Sequence, residues 1–214
     1  LAGPIEFTSA GSKGAKQGPP LSSGRVGNNG GAAPFLLDRH GRGDGNYWYL
    51  VAAFHNRIGI WNLQEWKSDG FVPGPKGMIG FAAAPNVDRF ATRADKKIQL
   101  WDGVRLKTAL ELEHEKHRYG AVGISYDGKF VVYGHGDGSV CLLDVEAGEP
   151  IDLVTGLSSP GMPAFAPNSY SLLVPSTGKL LFSHDATKQE QPSKIDAPEV
   201  PYGVGVMLDG KSFL

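Results

Sequence analysis

Three residue types that serine hydrolases use for catalysis alternate along one predicted hairpin: His135, Asp137 and Ser139. A serine nucleophile needs an imidazole base within hydrogen-bond reach and a carboxylate that orients the imidazole. A turn offers a simpler interpretation, because an Asp side chain in a tight turn accepts hydrogen bonds from nearby backbone amides. No Gly-x-Ser-x-Gly elbow occurs in the sequence. We therefore predict a structural hairpin and a chain that is not an enzyme in its own right.

A possible metal site lies further upstream, where Glu113 and Glu115 flank His114 and His117. Zinc sites need three or four protein ligands, and no third ligand stands next to this His-x-x-His pair, so a solvated loop is the favoured interpretation. The glycine-rich segment Gly134–Gly138 is followed by a strand, whereas a phosphate loop leads into a helix N-terminus. The sequence therefore predicts no metal and no cofactor.

Protein contacts are the chemistry that the remaining candidate residues favour. Trp66 lies outside the predicted strands, and an exposed indole is typical of an interface. His114, His117 and Arg118 lie in a predicted loop between repeated units, so they join Trp66 as candidate partner-binding residues. Arg42-Gly43-Asp44 spells an integrin-binding tripeptide, but a glycine-rich turn produces this triplet by chance, and nothing else indicates an extracellular protein.

Two series of residues repeat along the chain and indicate the elements that position these candidates. Four matched tetrapeptides end in Asn or Asp at intervals of 41 residues, at Asn86, Asp127, Asn168 and Asp209. A second series is spaced by 40, 42 and 40 residues, at Trp61-Asn62, Trp101-Asp102, Leu143-Asp144 and Ser183-His184. A period of ~40–45 residues with four short strands is that of a propeller blade. The second series places Trp61 and Trp101 in the core of a blade.

The third unit shows the four predicted strands best. They are Tyr119–Ser125, Lys129–Gly134, Ser139–Asp144 and a short outer strand, Pro150–Val154. The strands alternate poorly between polar and apolar residues, which is expected where stacked sheets bury both faces. The 30 glycines and 15 prolines indicate many turns, and no helix is predicted.

The chain resembles the WD-repeat family over residues 33–214, on the strength of the Trp101-Asp102 dipeptide and the segment Gly136–Asp144. The resemblance implies a non-catalytic protein-interaction scaffold whose partners dock on loops at the rim. Leu143 and Ser183 stand where the family has tryptophan, so its His–Ser/Thr–Trp hydrogen-bond network is expected to be incomplete in every blade. Candidate rim loops are His114–Arg118, Ser158–Met162 and the turns at Asp95, Asp137 and Thr177. The alternative function is a regulatory or substrate-gating propeller domain of a larger multidomain enzyme.

We expect two regions, a Gly/Ser/Pro-rich leader or linker over residues 1–32 and propeller blades over 33–214. Four blades are counted, and Tyr202–Leu214 begins a fifth. The favoured fold is all-β, with four-stranded antiparallel blades that form an incomplete part of a larger ring of about seven blades. The alternative is a four-bladed ring closed by the terminal strand. Open ends would pair with further blades of the same parent chain or with another subunit.

Composition excludes several other classes of protein. The formal net charge of −1 gives no general attraction to nucleic acid, which is not expected as a partner. No apolar run approaches the ~18 residues of a membrane helix, so no membrane association is expected. Cys141 is the single cysteine, which rules out an intrachain disulfide and favours a cytoplasmic location, although a cysteine-poor secreted protein has the same composition.

Overall fold

The computed structural model describes residues 24–25, 33–40, 46–54, 56–62, 67–84, 87, 89–94, 97–102, 107–113, 122–157, 160–176 and 180–196. Within these ranges all regular structure is β-strand, which confirms the all-β prediction. The strands are β1 (Gly24–Arg25), β2 (Ala33–His40), β3 (Asn46–Phe54), β4 (Arg57–Asn62), β5 (Lys67–Pro73), β6 (Met78–Ala83), β7 (Arg89–Ala94), β8 (Lys97–Asp102), β9 (Lys107–Glu113), β10 (Val122–Ile124), β11 (Phe130–Gly134), β12 (Val140–Asp144), β13 (Pro150–Val154), β14 (Ala164–Phe165), β15 (Ser171–Ser176), β16 (Leu180–Asp185) and β17 (Ser193–Asp196).

Strands β2 to β17 form antiparallel sheets of four strands each, in chain order. Sheet one contains β2–β5, sheet two β6–β9, sheet three β10–β13 and sheet four β14–β17. The first strand of each sheet contacts the first strand of the next, from β2 to β6, β10 and β14. The sheets therefore lie side by side through their first strands, as blades do, and the predicted four-stranded, blade-like sheets are confirmed.

The 41-residue period is visible in the backbone hydrogen bonds. The hydrogen bond that closes the first hairpin of a sheet recurs at intervals of 41 residues in sheets two, three and four. The amide donates to the carbonyl oxygen five residues later, from Ala84 to Arg89 at 2.9 Å, from Ser125 to Phe130 at 2.9 Å and from Ala166 to Ser171 at 2.7 Å. Asp127 and Asn168 thus occupy equivalent turn positions, and Asn168 has a φ of 51°. Asn86 and Asp209, the other two predicted turn residues, lie outside the described ranges.

The anchor predicted for sheet four is wrong by one residue. Leu143 and His184 are equivalent. Leu143 pairs with the residue four positions after Asp127, and His184 pairs with the residue four positions after Asn168. The following residues, Asp144 and Asp185, both accept a hydrogen bond from the backbone amide two positions further on. The sequence pattern aligns Ser183 with Leu143, whereas the strand pairing aligns His184 with Leu143.

Sheet three is buried on both faces, which explains the poor polar–apolar alternation of its sequence. Alternate side chains of β11 and β12 pack towards sheet two, namely Val131, Tyr133, Cys141 and Leu143. The intervening ones pack towards sheet four, namely Phe130, Val132, Val140 and Leu142. The middle strands of this sheet are therefore the best-covered part of the described core.

A short strand also forms inside the predicted leader. Gly24 and Arg25 pair with Phe81 and Gly80 of β6, so β1 adds to the first strand of sheet two. β1 also contacts β2 of sheet one. This pairing uses backbone groups, which a Gly/Ser-rich composition does not reveal.

Candidate functional site

The four residues predicted to bind a partner, Trp66, His114, His117 and Arg118, lie outside the described residues. The same is true of Arg42-Gly43-Asp44 and of the predicted rim turns at Asp95 and Thr177. Of the predicted rim loops, the structure describes the turn at Asp137 and the segment Pro160–Met162. The remaining candidates stay predictions.

His135, Asp137 and Ser139 form a hydrogen-bonded turn. The Asp137 carboxylate accepts hydrogen bonds from the Ser139 backbone amide at 2.9 Å and from the Ser139 hydroxyl at 2.6 Å. His135 is almost fully buried, and its Nδ1 lies 3.4 Å from the guanidinium of Arg93. Because the serine hydroxyl donates to the carboxylate and the imidazole contacts an arginine, the geometry is that of an Asx turn and not of a serine–histidine pair.

A buried polar cluster between sheets two and three was not foreseen from the sequence. Arg93 is fully buried, with its guanidinium 5.4 Å from the ring centre of Tyr133. The Tyr133 ring is edge-on to His135, with centroids 5.3 Å apart. Burial raises the pKa of the Tyr133 phenol, so this group stays neutral. The cluster therefore joins β7 of sheet two to β11 of sheet three through buried polar and aromatic side chains.

Trp101 occupies the predicted core position. Its side chain is 7% exposed, and its indole Nε1 donates a hydrogen bond of 2.8 Å to the Thr92 hydroxyl. The indole also stacks on Phe90, with ring planes 8° apart and centroids separated by 5.7 Å. Sheet two therefore contains a Thr–Trp hydrogen bond. Trp61, which was also expected in the core, is only half-buried.

An aromatic surface, here called the Phe71 surface, is formed by Arg57, Trp61 and Phe71 on sheet one. The Phe71 side chain is 49% exposed. The Arg57 guanidinium lies 4.6 Å from its ring centre, and the Trp61 ring is perpendicular to it at 5.8 Å. A Cβ atom at Gly59 would overlap both aromatic rings, so glycine is required for them to lie over the strand. No pattern in the sequence marked Phe71 as exposed.

A second surface feature is a cleft of about 290 Å³ between sheets three and four, here called the His184 cleft. It is lined by Ile151, Asp152 and Leu153 of β13, by His184 of β16, and by Lys188, Gln189, Glu190, Gln191 and Pro192. Ile151 is 52% exposed, whereas His184 is 6% exposed and its Nε2 has no hydrogen-bond partner. Burial lowers the pKa of His184, against the opposing effect of the Asp185 and Glu190 carboxylates, so the imidazole is neutral at neutral pH.

Two other kinds of site are absent from the described part of the chain. The described residues contain no group of three or more His, Cys, Asp or Glu side chains placed to hold a metal ion. They also form no helix with the length and apolarity that a membrane crossing requires. No protein-family model and no protein of curated function matches this sequence.

Proposed function

We propose that this chain is a non-catalytic protein-interaction scaffold of the WD-repeat β-propeller type. One observation carries the proposal: the large apolar side chains that are exposed among the described residues, Phe71 and Ile151, both lie on the fourth strand of a sheet. The first strands contact the neighbouring sheets, whereas the fourth strands lie at the opposite edge of each sheet, where Phe71 and Ile151 are exposed.

The chemistry of the Phe71 surface supports this function. Tyr, Trp, Phe and Arg are enriched in protein interfaces, where a few such residues provide most of the binding energy. The perpendicular Trp61 ring and the Arg57 guanidinium pack against Phe71 and restrict its side chain. A side chain that is already ordered loses little conformational entropy when it binds. The Phe71 surface is therefore a suitable anchor for a protein partner.

Affinity purification of the tagged chain from cells tests the proposal. We compare the wild type with Phe71→Ala and with Lys76→Ala, a matched control at an exposed residue just beyond β5. Partners that use the Phe71 surface should be lost with Phe71→Ala and kept with Lys76→Ala. A purified partner should bind Phe71→Ala at least about tenfold more weakly. Identical partners for the wild type, Phe71→Ala and Ile151→Ala would contradict the proposal.

A further inference from the structure

The His184 cleft contains a buried polar atom that the fold leaves unused. His184 is 6% exposed, and its Nε2 lacks a hydrogen-bond partner although the imidazole lines an open cleft. A buried polar group without a partner costs free energy, and a ligand that supplies the missing hydrogen bond recovers it. In the tautomer with its proton on Nδ1, neutral His184 presents Nε2 as an acceptor. In the other tautomer Nε2 is a donor, so the charges around the cleft decide which kind of ligand it suits.

The charges around the cleft favour a cationic donor. Asp152 and Glu190 line it, and among the described residues of its lining the one cation is Lys188. The positive charge of Lys188 interacts with the neighbouring Asp185 carboxylate, which is a negative charge in addition to those of Asp152 and Glu190. Asp152 and Glu190 would repel a phosphate or a carboxylate, and they attract an ammonium or guanidinium group.

The apolar side chains of the cleft favour a peptide over a free amine. Ile151 is half-exposed beside the cleft, and Leu153 and Pro192 also line it. β13 is the last strand of its sheet, so it offers an edge to which an extended peptide could add. In such a peptide, an apolar residue next to the basic residue would cover Ile151 on binding.

We propose that the His184 cleft binds a lysine or arginine side chain of an extended partner segment, flanked by apolar residues. The basic group donates to Nε2 of His184 and lies near the carboxylates of Asp152 and Glu190, while the flanking residue packs on Ile151. This inference rests on the proposed interaction function and specifies the chemistry of one class of partner.

Titration of the ¹⁵N-labelled chain, followed by NMR, tests the cleft with a defined probe, the peptide acetyl-Val-Lys-Val-amide. Two comparison peptides carry norleucine or glutamate in place of lysine. We expect the lysine peptide to shift the amide resonances of residues 151–153 and 188–191, and the norleucine peptide to bind about tenfold more weakly. Glu190→Gln should weaken binding of the lysine peptide, whereas Glu149→Gln, an exposed carboxylate outside the cleft, should not.

Three results would overturn the cleft proposal: no shifts at these residues up to about 5 mM peptide, equal binding of the three peptides, or equal effects of Glu190→Gln and Glu149→Gln. Both substitutions are at exposed positions, so the folded state is retained for the comparison. If the peptide titration fails while partners in cells still depend on Phe71, only the cleft proposal is rejected. Failure of the proposed function is visible separately, as the absence of any partner that depends on Phe71 or Ile151 in cells.

Discussion

Sheets two and three share one repeat register, yet their third strands are held by different interactions. In sheet two, Trp101 donates a hydrogen bond to Thr92 and stacks on Phe90. In sheet three the equivalent residue is Leu143, which is buried in an aliphatic cluster with Val131. The register therefore does not depend on the tryptophan.

The turns explain how the register survives this difference. In sheet three, the Asp127 carboxylate accepts hydrogen bonds from the Ser125 hydroxyl and the Lys129 amide. It also accepts a 2.7 Å bond from the Tyr170 hydroxyl of the neighbouring sheet. Burial opposes ionisation of Asp127, but these hydrogen bonds outweigh it and lower the pKa of the carboxyl. Backbone turns thus set the period, and side chains at the anchor position are free to vary.

The largest effect is expected at the anchor of sheet two. Trp101→Ala should lower the free energy of unfolding by ~3–5 kcal/mol, because removal of a buried indole leaves a cavity beside Phe90. Urea denaturation followed by circular dichroism measures this loss.

Two companion variants sharpen the comparison between the sheets. Trp101→Phe keeps a ring against Phe90 and removes the bond to Thr92, so it should cost less than Trp101→Ala. Leu143→Ala should cost ~2–5 kcal/mol without the loss of any hydrogen bond. A loss below about 1 kcal/mol for Trp101→Ala would show that the indole does not support the core.

A smaller effect is expected at the hairpin turn of sheet three. Gly138 has a φ of 84°, and a Cβ atom there would overlap the backbone carbonyl oxygen of Leu157. Gly138→Ala should therefore destabilise by roughly 2–4 kcal/mol, through left-handed strain together with displacement of the backbone. The same denaturation experiment measures it.

Gly148 provides the matched control, since its φ is 74° but a Cβ atom would meet nothing within 4 Å. Gly148→Ala should cost only about 1 kcal/mol, from the strain alone. Equal losses for the two variants would show that the contact between Gly138 and Leu157 is unimportant.

Much of the fold was predictable because turn chemistry is local. Asp127 and Asn168 kept their spacing of 41 residues, and the outer strand predicted at Pro150–Val154 matches β13. The error at Ser183 came from side chains that had changed type at an equivalent position. The pairing of His184 with Leu172 and the hydrogen bond that Asp185 accepts from the Thr187 amide identify the true anchor.

The two surfaces were not predictable, since each is formed by side chains that come together only when different strands pack. Ile151 stands in a short apolar strand that gives no indication of its exposure. The cleft appears only when β13 lies beside the segment that follows His184. Exposure and burial at these positions are set by how strands and sheets pack together, which no single strand encodes.

The smallest expected effect is a pH dependence that separates sheet four, with His184 at its anchor, from sheet three, with Leu143. Burial lowers the pKa of folded His184 below its ordinary value of 6.5, against Asp185 and Glu190, while Lys188 and Asp152 also line the cleft. The unfolded chain therefore binds a proton first as the pH falls through 6.5, and the free energy of unfolding decreases.

We expect urea denaturation between about pH 7 and pH 5 to show a steeper decrease for the wild type than for His184→Gln. Glu190→Gln removes a carboxylate that favours the imidazolium, so it should enlarge the dependence. The lowered pKa values of Asp127 and Asp185 change the free energy of unfolding only below about pH 4, so their pH range is separate from that of His184. Equal slopes for the wild type and His184→Gln would show that His184 is solvated in the folded state.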